Sequence, residues 1–565
     1  MNLISNQRFL RFLWVYIVIL GLVFVFIIPP FQKTDEVSHY YKTVAVATSN
    51  FFCQKSTQNQ PQNLIPKSLF DLPEKMMVNF INENPQHRFP KGAILPTLKE
   101  KYDGRLVSEN ISCTLPFIFY LPSVLMLALP IFLKLNPLIV FYLGRLSFYL
   151  ISILLFYVSL KIIPKKFQLL LLSCLSLPMV IIQMSSYNKE VFHLGFGALS
   201  LSLFLSLKNK FDRRNLFFFL TSLVFFILPR PQYSPFFLLI FLVFDRQIKL
   251  KIIALIGLLG TGIIGIGFYF QKIVLLGSNT LARPQLLYLK MFPQNFFSVL
   301  FNSYTNHIEA YYKSLIGTFG SIHFYLDWYV YVFYGLLLCL TIYSYIKVSI
   351  SLRFRELLFI AFIVSLTVFL TFFSMYLYAT PVAFPYIVDV QGRYFIMILP
   401  YLIIIAAKII KKFGIKLIYF GFIFVTLFLL KNTYDRYFDY SQAYYYDFST
   451  FKNAKILSIN KKIQHKLEID FDKKLIGLHL IVDNKRPNLT DWPILITFYK
   501  NDCHTELRKV IIGNSIVSQN YRDFIFSPPL KNISSICYVL EPFEAATFKN
   551  GLFFYQPPGL PIYAF

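Results

Sequence analysis

Charged residues are scarce in this sequence: they make up 15% of its 565 residues, against about 25% in a soluble protein. Hydrophobic residues make up 56%, and a water-soluble fold of this length could not cover so much apolar surface. Most of the nearly charge-free runs have the roughly 17–25 residues that cross a bilayer. They are 12–28, 138–160, 252–270, 328–346, 357–378 and 417–430. The chain is therefore a multi-pass membrane protein.

Several motifs are also missing. No glycine-rich loop followed by Lys and Ser or Thr occurs, which argues against an ATP-driven motor. There is no clear metal-ligand spacing, so the cofactor is unknown and a divalent cation is left open. Arg8 and Arg11 precede the first run as in a signal peptide, but residues 27–31 offer no small-residue cleavage site, which favours an uncleaved anchor.

The formal net charge of +27 does not indicate nucleic-acid binding, because the basic residues form short clusters between apolar runs. Such clusters are typical of cytoplasmic loops. The six are Arg8/Arg11, Lys161/Lys165/Lys166, Lys208/Lys210/Arg213/Arg214, Arg246/Lys249/Lys251, Lys347/Arg353/Arg355 and Lys408/Lys411/Lys412/Lys416. They predict about eleven transmembrane helices, with the N-terminus inside and the C-terminus outside.

This topology divides the chain into a membrane domain at 1–431, a linker at 432–455 and an extracytoplasmic domain at 456–565. Two long outer loops are predicted, at about 29–136 and about 272–327. The apolar stretch 115–133 is interrupted by Pro116, Pro122 and Pro130, which kink helices. We therefore interpret it as a broken or membrane-surface helix of the first outer loop.

The segment 456–565 contains five short alternating apolar stretches separated by turn residues, which predicts a β-sandwich or jelly roll. They are 478–482, 494–498, 510–512, 524–526 and 536–540. It could bind glycan or serve as a structural cap. Cys503 and Cys537 both lie in it and are expected to form a disulfide, and Cys53 and Cys113 form a possible second pair in the first outer loop. Four unpaired thiols are the alternative.

A polar element follows the first apolar run directly. A Pro-Pro pair ends the first helix, and Thr34 is placed to cap a new one. Asp35 would then lie in the first turn, where the helix dipole favours an ionised carboxylate, with His39 on the same face. That pairing suits a general base acting on a hydroxyl; a capped helix end with surface charges is the alternative. The candidate catalytic residues are Asp35, Glu36 and His39, although Glu36 should face another environment about 100° round the helix.

Three later outer-edge turns carry polar groups, at 185–190, 228–233 and 389–395. Charged groups at a membrane boundary are costly and usually functional. Arginine suits bidentate phosphate binding, so Arg230 and Arg393 are candidate ligands of a lipid phosphate or pyrophosphate. Arg145, near the outer start of a crossing, is a weaker candidate for the same role. Snorkelling to lipid headgroups is the alternative, and it fits Arg230 less well because prolines flank that residue.

The segments 29–41, 185–190, 316–324 and 390–395 resemble, in this order, a bacterial family of predicted membrane proteins of unknown function with GT-C glycosyltransferase organisation. The resemblance covers most of the chain, including the strand-rich tail, and implies a location in a bacterial cytoplasmic (inner) membrane. The element Asp35-Glu36-x-x-His39 also resembles the first luminal loop of protein O-mannosyltransferases, in which the aspartate is the catalytic base.

The resemblance implies that Asp35 is the catalytic aspartate and that Arg145 lies near it. It implies further that Gln391, Gly392, Arg393 and Tyr394 form a late family signature, which we interpret as part of the substrate-binding and lipid-phosphate-binding site. The sequence departs from the expected acidic pair at Lys189-Glu190, which leaves Glu190 as the candidate second acid.

The expected function is transfer of a sugar from a polyprenyl-phosphate-linked donor to a cell-envelope glycan or lipid acceptor on the outer face. Membrane lipids are expected partners and nucleic acid is not. A glycan polymerase or ligase of the same compartment is one alternative. A non-catalytic transporter or flippase of lipid-linked sugar is the other, although the internal repeats typical of transporters are not evident.

Overall fold

The computed structural model describes residues 7–33, 35–55, 61–76, 94–243, 282–320, 324–346, 352–382, 384–409 and 429–433, three single positions at 89, 257 and 262, and six strands between residues 463 and 542. The chain divides into two compact units, Met1–Tyr444 and Tyr445–Phe565. The membrane helices belong to the first unit and the six strands to the second.

Five helices are long and apolar enough to cross a membrane: Gln7–Ile27, Pro137–Ile162, Glu190–Asn209, Trp328–Ile346 and Phe354–Tyr378. A sixth crossing is formed if the segments Lys165–Leu175 and Pro178–Met184, which meet at a bend of 78°, make one broken span. The described residues thus account for five or six of the roughly eleven crossings expected from the charge pattern. The runs 252–270 and 417–430 lie largely outside them.

The remaining helices of the first unit are shorter or more polar. The two long loops predicted to lie outside contain the helices Glu36–Ala47, Lys67–Phe70, Leu72–Lys75, Ile94–Leu98, Leu121–Phe132, Ala282–Met291 and Pro293–Ile316. The other α-helices among the described residues are Arg213–Ile227, Ile240–Val243 and Leu399–Ile409. Tighter 3-10 turns occupy Ile111–Thr114, Phe117–Phe119, Lys165–Phe167, Pro231–Leu239 and Gly392–Ile398.

The stretch 115–133 is broken, as its prolines predicted. It contains the 3-10 turn Phe117–Phe119 and then the helix Leu121–Phe132, which has Pro130 inside it. Twelve residues rise about 18 Å, which is short of the ~30 Å hydrocarbon core. The helix therefore does not cross a bilayer by itself. Several of its apolar side chains, including Leu125 and Phe132, are exposed, whereas Leu127 and Ile131 are buried.

A small three-stranded sheet lies within the loop 29–136. The strand Pro61–Pro66 lies between Gln54–Lys55 and Leu106–Glu109, and both pairings are antiparallel. A disulfide joins Cys53 to Cys113, whose Cα atoms lie 5.6 Å apart. This is the second of the two pairs suggested by the sequence. Cys503, a member of the first pair, lies outside the described residues.

The Cys53–Cys113 bond closes a loop with a sequence separation of 60. Replacing both cysteines by serine is expected to lower the free energy of unfolding by about 2–5 kcal/mol, because the unfolded loop regains conformational freedom. Thermal unfolding of the purified protein, with and without reductant, measures this difference. A variant as stable as the oxidised wild type would contradict it, and Cys174→Ser at a buried free thiol is the control for loss of a cysteine alone.

The second unit contains six antiparallel strands in two sheets. Four strands pair in the order Ile463–Glu468, Ser535–Pro542, Ile494–Tyr499 and Glu506–Ile512. The other two, Tyr521–Leu530 and Leu475–Ile481, pair with each other. All five stretches that the sequence predicts as strands fall on these elements, whereas Ile463–Glu468 was missed. The unit is strand-rich, and its packing as a sandwich or jelly roll stays a prediction.

Candidate functional site

Four segments that are far apart in sequence meet in one cluster of charged side chains. Asp35 pairs with Arg393 at 2.7 Å, and Glu190 pairs with Arg230 at 2.6 Å. Arg230 and Arg393 lie 3.8 Å and 5.5 Å from the centre of the same Tyr394 ring. The turns predicted to lie at the outer membrane edge therefore form a single site, which we call the edge cluster: Asp35, His39, Glu190, Arg230, Arg393 and Tyr394.

Asp35 occupies a special backbone position. It is the N-cap of helix Glu36–Ala47 in a left-handed conformation, with φ 61° and ψ 9°, and its side chain makes no capping hydrogen bond. The expected placement in the first helical turn was therefore wrong, because the helix begins one residue later; Thr34 lies outside the described residues. Aspartate and asparagine tolerate this conformation better than most residues. The carboxylate is thus free for a role other than capping.

The Asp35 carboxylate is held by one strong contact. Arg393 donates from Nη2 to Oδ2 at 2.7 Å, and the Asp35 side chain is 55% exposed while that of Arg393 is 3% exposed. Burial favours a raised pKa for Asp35, but the Arg393 charge, the nearby His39 and the Arg393 hydrogen bond together outweigh it, and the pKa lies below its ordinary value. An ionised carboxylate therefore faces open space at the rim of a buried network.

Gly392 sets the position of Arg393. A Cβ atom at Gly392 would lie 1.8 Å from the carbonyl oxygen of Tyr311, so only glycine fits against helix Pro293–Ile316. The Gly392 amide also donates to the Ser314 hydroxyl at 2.7 Å. The Gln-Gly-Arg-Tyr signature therefore packs tightly against this helix and places the buried guanidinium of Arg393 beside Asp35.

His39 contacts a different partner from the one expected. Its Nδ1 shares a 2.5 Å hydrogen bond with the hydroxyl of Tyr120, while Asp35 acts on it only as a nearby charge. Burial lowers the pKa of His39 to about 4, although the Asp35 charge opposes this. The imidazole is therefore neutral at pH 7. Tyr120 belongs to the apolar stretch 115–133, which is why sequence reasoning overlooked it.

The depressed pKa of His39 links stability to pH. Unfolded His39 binds a proton below about pH 6.5, whereas the folded group stays neutral down to about pH 4. The free energy of unfolding should therefore fall as the pH is lowered from 7 towards 4. Thermal unfolding of wild type and His39→Gln across this range measures the effect. The variant should lose this part of the pH dependence, and identical profiles would contradict the assignment.

Glu36 and Arg145 form a separate, fully buried pair. Arg145 donates to both Glu36 carboxylate oxygens, at 2.7 and 2.6 Å, and both side chains are 0% exposed. Arg145 also donates to the carbonyl oxygens of Val25, Ile28 and Pro29. Every guanidinium nitrogen of Arg145 is thus paired in the structure, which favours a structural role for both residues. The catalytic role of Glu36 and the phosphate-binding role of Arg145 stay predictions.

The remaining predicted site residues lie in or beside the edge cluster, and each has its own hydrogen-bonding environment. Glu190 accepts two hydrogen bonds from Arg230, at 2.8 and 2.6 Å, and both residues are buried. Among the described residues, the Gln391 Oε1 and Arg393 Nε atoms are buried without a hydrogen-bond partner. Glu190 is therefore an acid whose charge is matched by Arg230, whereas Gln391 and Arg393 keep unused hydrogen-bonding capacity.

Lys33 is a further buried charge that sequence reasoning missed. Its ammonium group donates to the Phe24 carbonyl at 3.2 Å, to the Ser185 hydroxyl at 2.9 Å and to the Ser185 carbonyl. Burial lowers its pKa well below the ordinary value, and the Arg145 charge adds to this. The sequence feature that could have identified Lys33 is its position directly after the first apolar run. Lys33 fastens the end of the first span to the 185–190 turn.

In the part of the chain that the structure describes, no group of three or more His, Cys, Asp or Glu side chains is placed to hold a metal ion. The model of one protein family, described as Predicted membrane protein (DUF2142), matches residues 18–402. This range contains the whole edge cluster. No curated protein and no solved structure matches the chain.

Proposed function

Because the chain belongs to this family of predicted membrane proteins, we propose its function from the edge cluster: transfer of a sugar from a polyprenyl-phosphate-linked donor to a cell-envelope glycan or lipid. The observation that carries the proposal is the Asp35–Arg393 pair, in which an exposed carboxylate meets a buried guanidinium. A base and a phosphate ligand within 2.7 Å of each other are the two groups that such a transfer needs.

In the proposed reaction, an acceptor hydroxyl oxygen attacks the anomeric carbon of the donor sugar. Its proton passes to the Asp35 carboxylate, and the bond between the anomeric carbon and the phosphate oxygen breaks. The phosphate leaves with that electron pair and is stabilised by Arg393. Each sugar transferred therefore releases one polyprenyl phosphate, and Asp35 later loses its proton to water.

Donor binding would also activate the base. With no donor bound, the Arg393 charge holds the pKa of Asp35 below its ordinary value, which makes the carboxylate a weak base. A donor phosphate that takes hydrogen bonds from Arg393 would offset that charge and raise the basicity of Asp35. The site would then be most reactive when the donor is in place.

The roles of the other cations follow from their partners. Arg230 is paired with Glu190 and stacked on Tyr394, so in this proposal it keeps the Tyr394 ring and Arg393 in position. Arg145 is not among the proposed phosphate ligands, because Glu36 and three carbonyl oxygens occupy it. Arg393 is therefore the principal phosphate ligand of this proposal.

We propose that the edge cluster faces outwards, in a GT-C-like arrangement of about eleven crossings with the N-terminus inside and the strand-rich unit, folded as a small sandwich, outside. Two observations support this proposed topology. Lys208 pairs with Glu356 at 2.6 Å, which joins two basic segments predicted to be cytoplasmic. The four predicted outer-edge turns meet elsewhere, in the edge cluster.

Binding of polyprenyl phosphate to the protein in nanodiscs tests the role of Arg393. Arg393→Gln should weaken binding about 10-fold or more, because a charge-assisted hydrogen bond contributes about 1.5–3 kcal/mol. Asp35→Asn should bind at least as tightly as wild type, because it frees the guanidinium. Arg105→Gln removes an exposed arginine that pairs with Asp103 and is the control. Unchanged affinity in Arg393→Gln would contradict the phosphate role.

A further inference from the structure

Helix Pro293–Ile316 has three different faces. Its buried face includes Phe296, Val299, Ser303 and Ser314, and it packs on the end of span Phe354–Tyr378 around Phe372 and Tyr376. A second face is polar: Thr305, Asn306 and Glu309 are exposed. The helix is not among those apolar enough to cross a membrane. One face of the helix is thus packed against the rest of the protein, and the polar face is suited to contact with water.

The third face is an exposed apolar stripe. Its members are large and uncharged, and the most exposed are Phe297 at 65% and Phe301 at 68%. The whole stripe consists of Phe297, Phe301, Tyr304, Ile308 and Tyr312. At about 100° per residue, these five positions fall within an arc of about 80°. An exposed apolar patch of this kind marks an interaction surface.

The stripe continues a surface of the neighbouring span. Phe354, Leu358, Phe362 and Phe369 are exposed on span Phe354–Tyr378 and fall within an arc of about 80° on that helix, so they form its lipid-facing side. Phe296, next to Phe297 in the chain, contacts Phe369 edge to face at 5.9 Å and Phe373 at 5.6 Å. The lipid-facing side of the span therefore reaches the stripe at its outer end.

We propose that the stripe is a membrane-docking surface that rests on the lipids of the leaflet at that end of the span. Aromatic and aliphatic side chains opposite polar ones are typical of helices whose apolar face lies about 5–10 Å into the boundary between headgroups and acyl chains. Tyr304, which is 53% exposed, suits that depth, because a tyrosine ring is apolar and its hydroxyl can reach water.

This docking bears on the edge cluster. Ser314, on the last turn of the same helix, accepts the hydrogen bond from Gly392, and Arg393 follows directly. A helix fixed at headgroup depth would hold Arg393 near the level of lipid phosphates. That consequence rests on the proposed function, whereas the docking surface itself does not.

Fluorescence quenching by brominated lipids tests the docking surface. The chain has three tryptophans, and replacing Trp14, Trp328 and Trp492 by phenylalanine gives a parent in which single tryptophans can be placed. In vesicles of phosphatidylcholine brominated near the glycerol end of its acyl chains, Phe301→Trp should lose about half of its fluorescence or more, since its face lies within the boundary. Asn306→Trp, on the polar face of the same helix, should stay nearly unquenched.

Tyr304→Trp provides a second probe of the stripe if Phe301→Trp does not fold, and the melting temperature of each variant is compared with that of the parent. If the tryptophans on the stripe are quenched no more than the one in Asn306→Trp, the proposal is overturned. The stripe would then be covered by water, by a second copy of the chain or by the strand-rich unit instead of by lipid. No donor is needed for this measurement. Its failure would leave the transfer reaction standing, and failure of the transfer assay would leave the docking surface standing.

Discussion

Replacing Asp35 by asparagine is expected to lower the rate of sugar transfer about 10²–10⁴-fold, which is the usual contribution of a general base. The protein should still fold and insert, because asparagine also tolerates the left-handed backbone at this position. No capping hydrogen bond is lost, since the Asp35 side chain makes none. The variant therefore removes the negative charge and little else.

Asp103→Asn is the matched control for this substitution. Asp103 lies in the same loop, 29–136, and pairs with an arginine, Arg105, at 2.7 Å. Its hydrogen-bond partners, Arg105 and Ser68, are not members of the edge cluster. Its replacement should leave the transfer rate unchanged. Expression level and melting temperature must be compared in all three proteins. Full activity in Asp35→Asn would remove the catalytic role of this carboxylate and favour a transporter.

Breaking the buried Glu36–Arg145 pair should have the largest effect on stability. Glu36→Gln leaves the Arg145 charge without a counter-charge at a site where both side chains are 0% exposed. Removing one partner of a buried ion pair costs about 3–5 kcal/mol, because the remaining charge stays buried. Arg145 also holds the carbonyls of Val25, Ile28 and Pro29, so the end of the first span should loosen.

Thermal or denaturant unfolding in detergent measures this loss. Glu100→Gln is the control, because Glu100 pairs with Lys75 at 2.6 Å in a partly exposed position, and such pairs contribute about 1 kcal/mol or less. A Glu36→Gln protein that unfolds like the control would contradict the structural role. Because Glu36→Gln is expected to be unstable, a loss of activity in it says nothing about catalysis.

Local chemistry made much of the edge cluster predictable. A charged residue beside a membrane-spanning run is costly whatever the rest of the fold is. Asp35, Glu190, Arg230 and Arg393 could therefore be identified as candidates from their sequence neighbours alone. The charge alternation then placed them on one side of the membrane, and the structure brings them together. The strand segments of the second unit were predictable for a similar reason, since alternation with a period of two is a local signal.

Pairing was not predictable, because it depends on residues that are far apart. Arg145 and Arg393 look alike in sequence, yet one is buried against Glu36 and the other against Asp35, 109 and 358 positions away. Tyr120 was overlooked because a tyrosine in an apolar stretch carries no local sign of a histidine partner. The docking of Gly392 on Tyr311 likewise needs the three-dimensional fold.

The most direct test of the central claim is to follow a polyprenyl-phosphate-linked sugar by mass spectrometry in proteoliposomes that contain the protein and an extract of envelope acceptors. With wild type, the donor should be consumed and polyprenyl phosphate should accumulate in equal amount, while Asp35→Asn leaves the donor intact. Full recovery of intact donor with wild type, especially donor that has moved between leaflets, would contradict the assignment and identify transport instead.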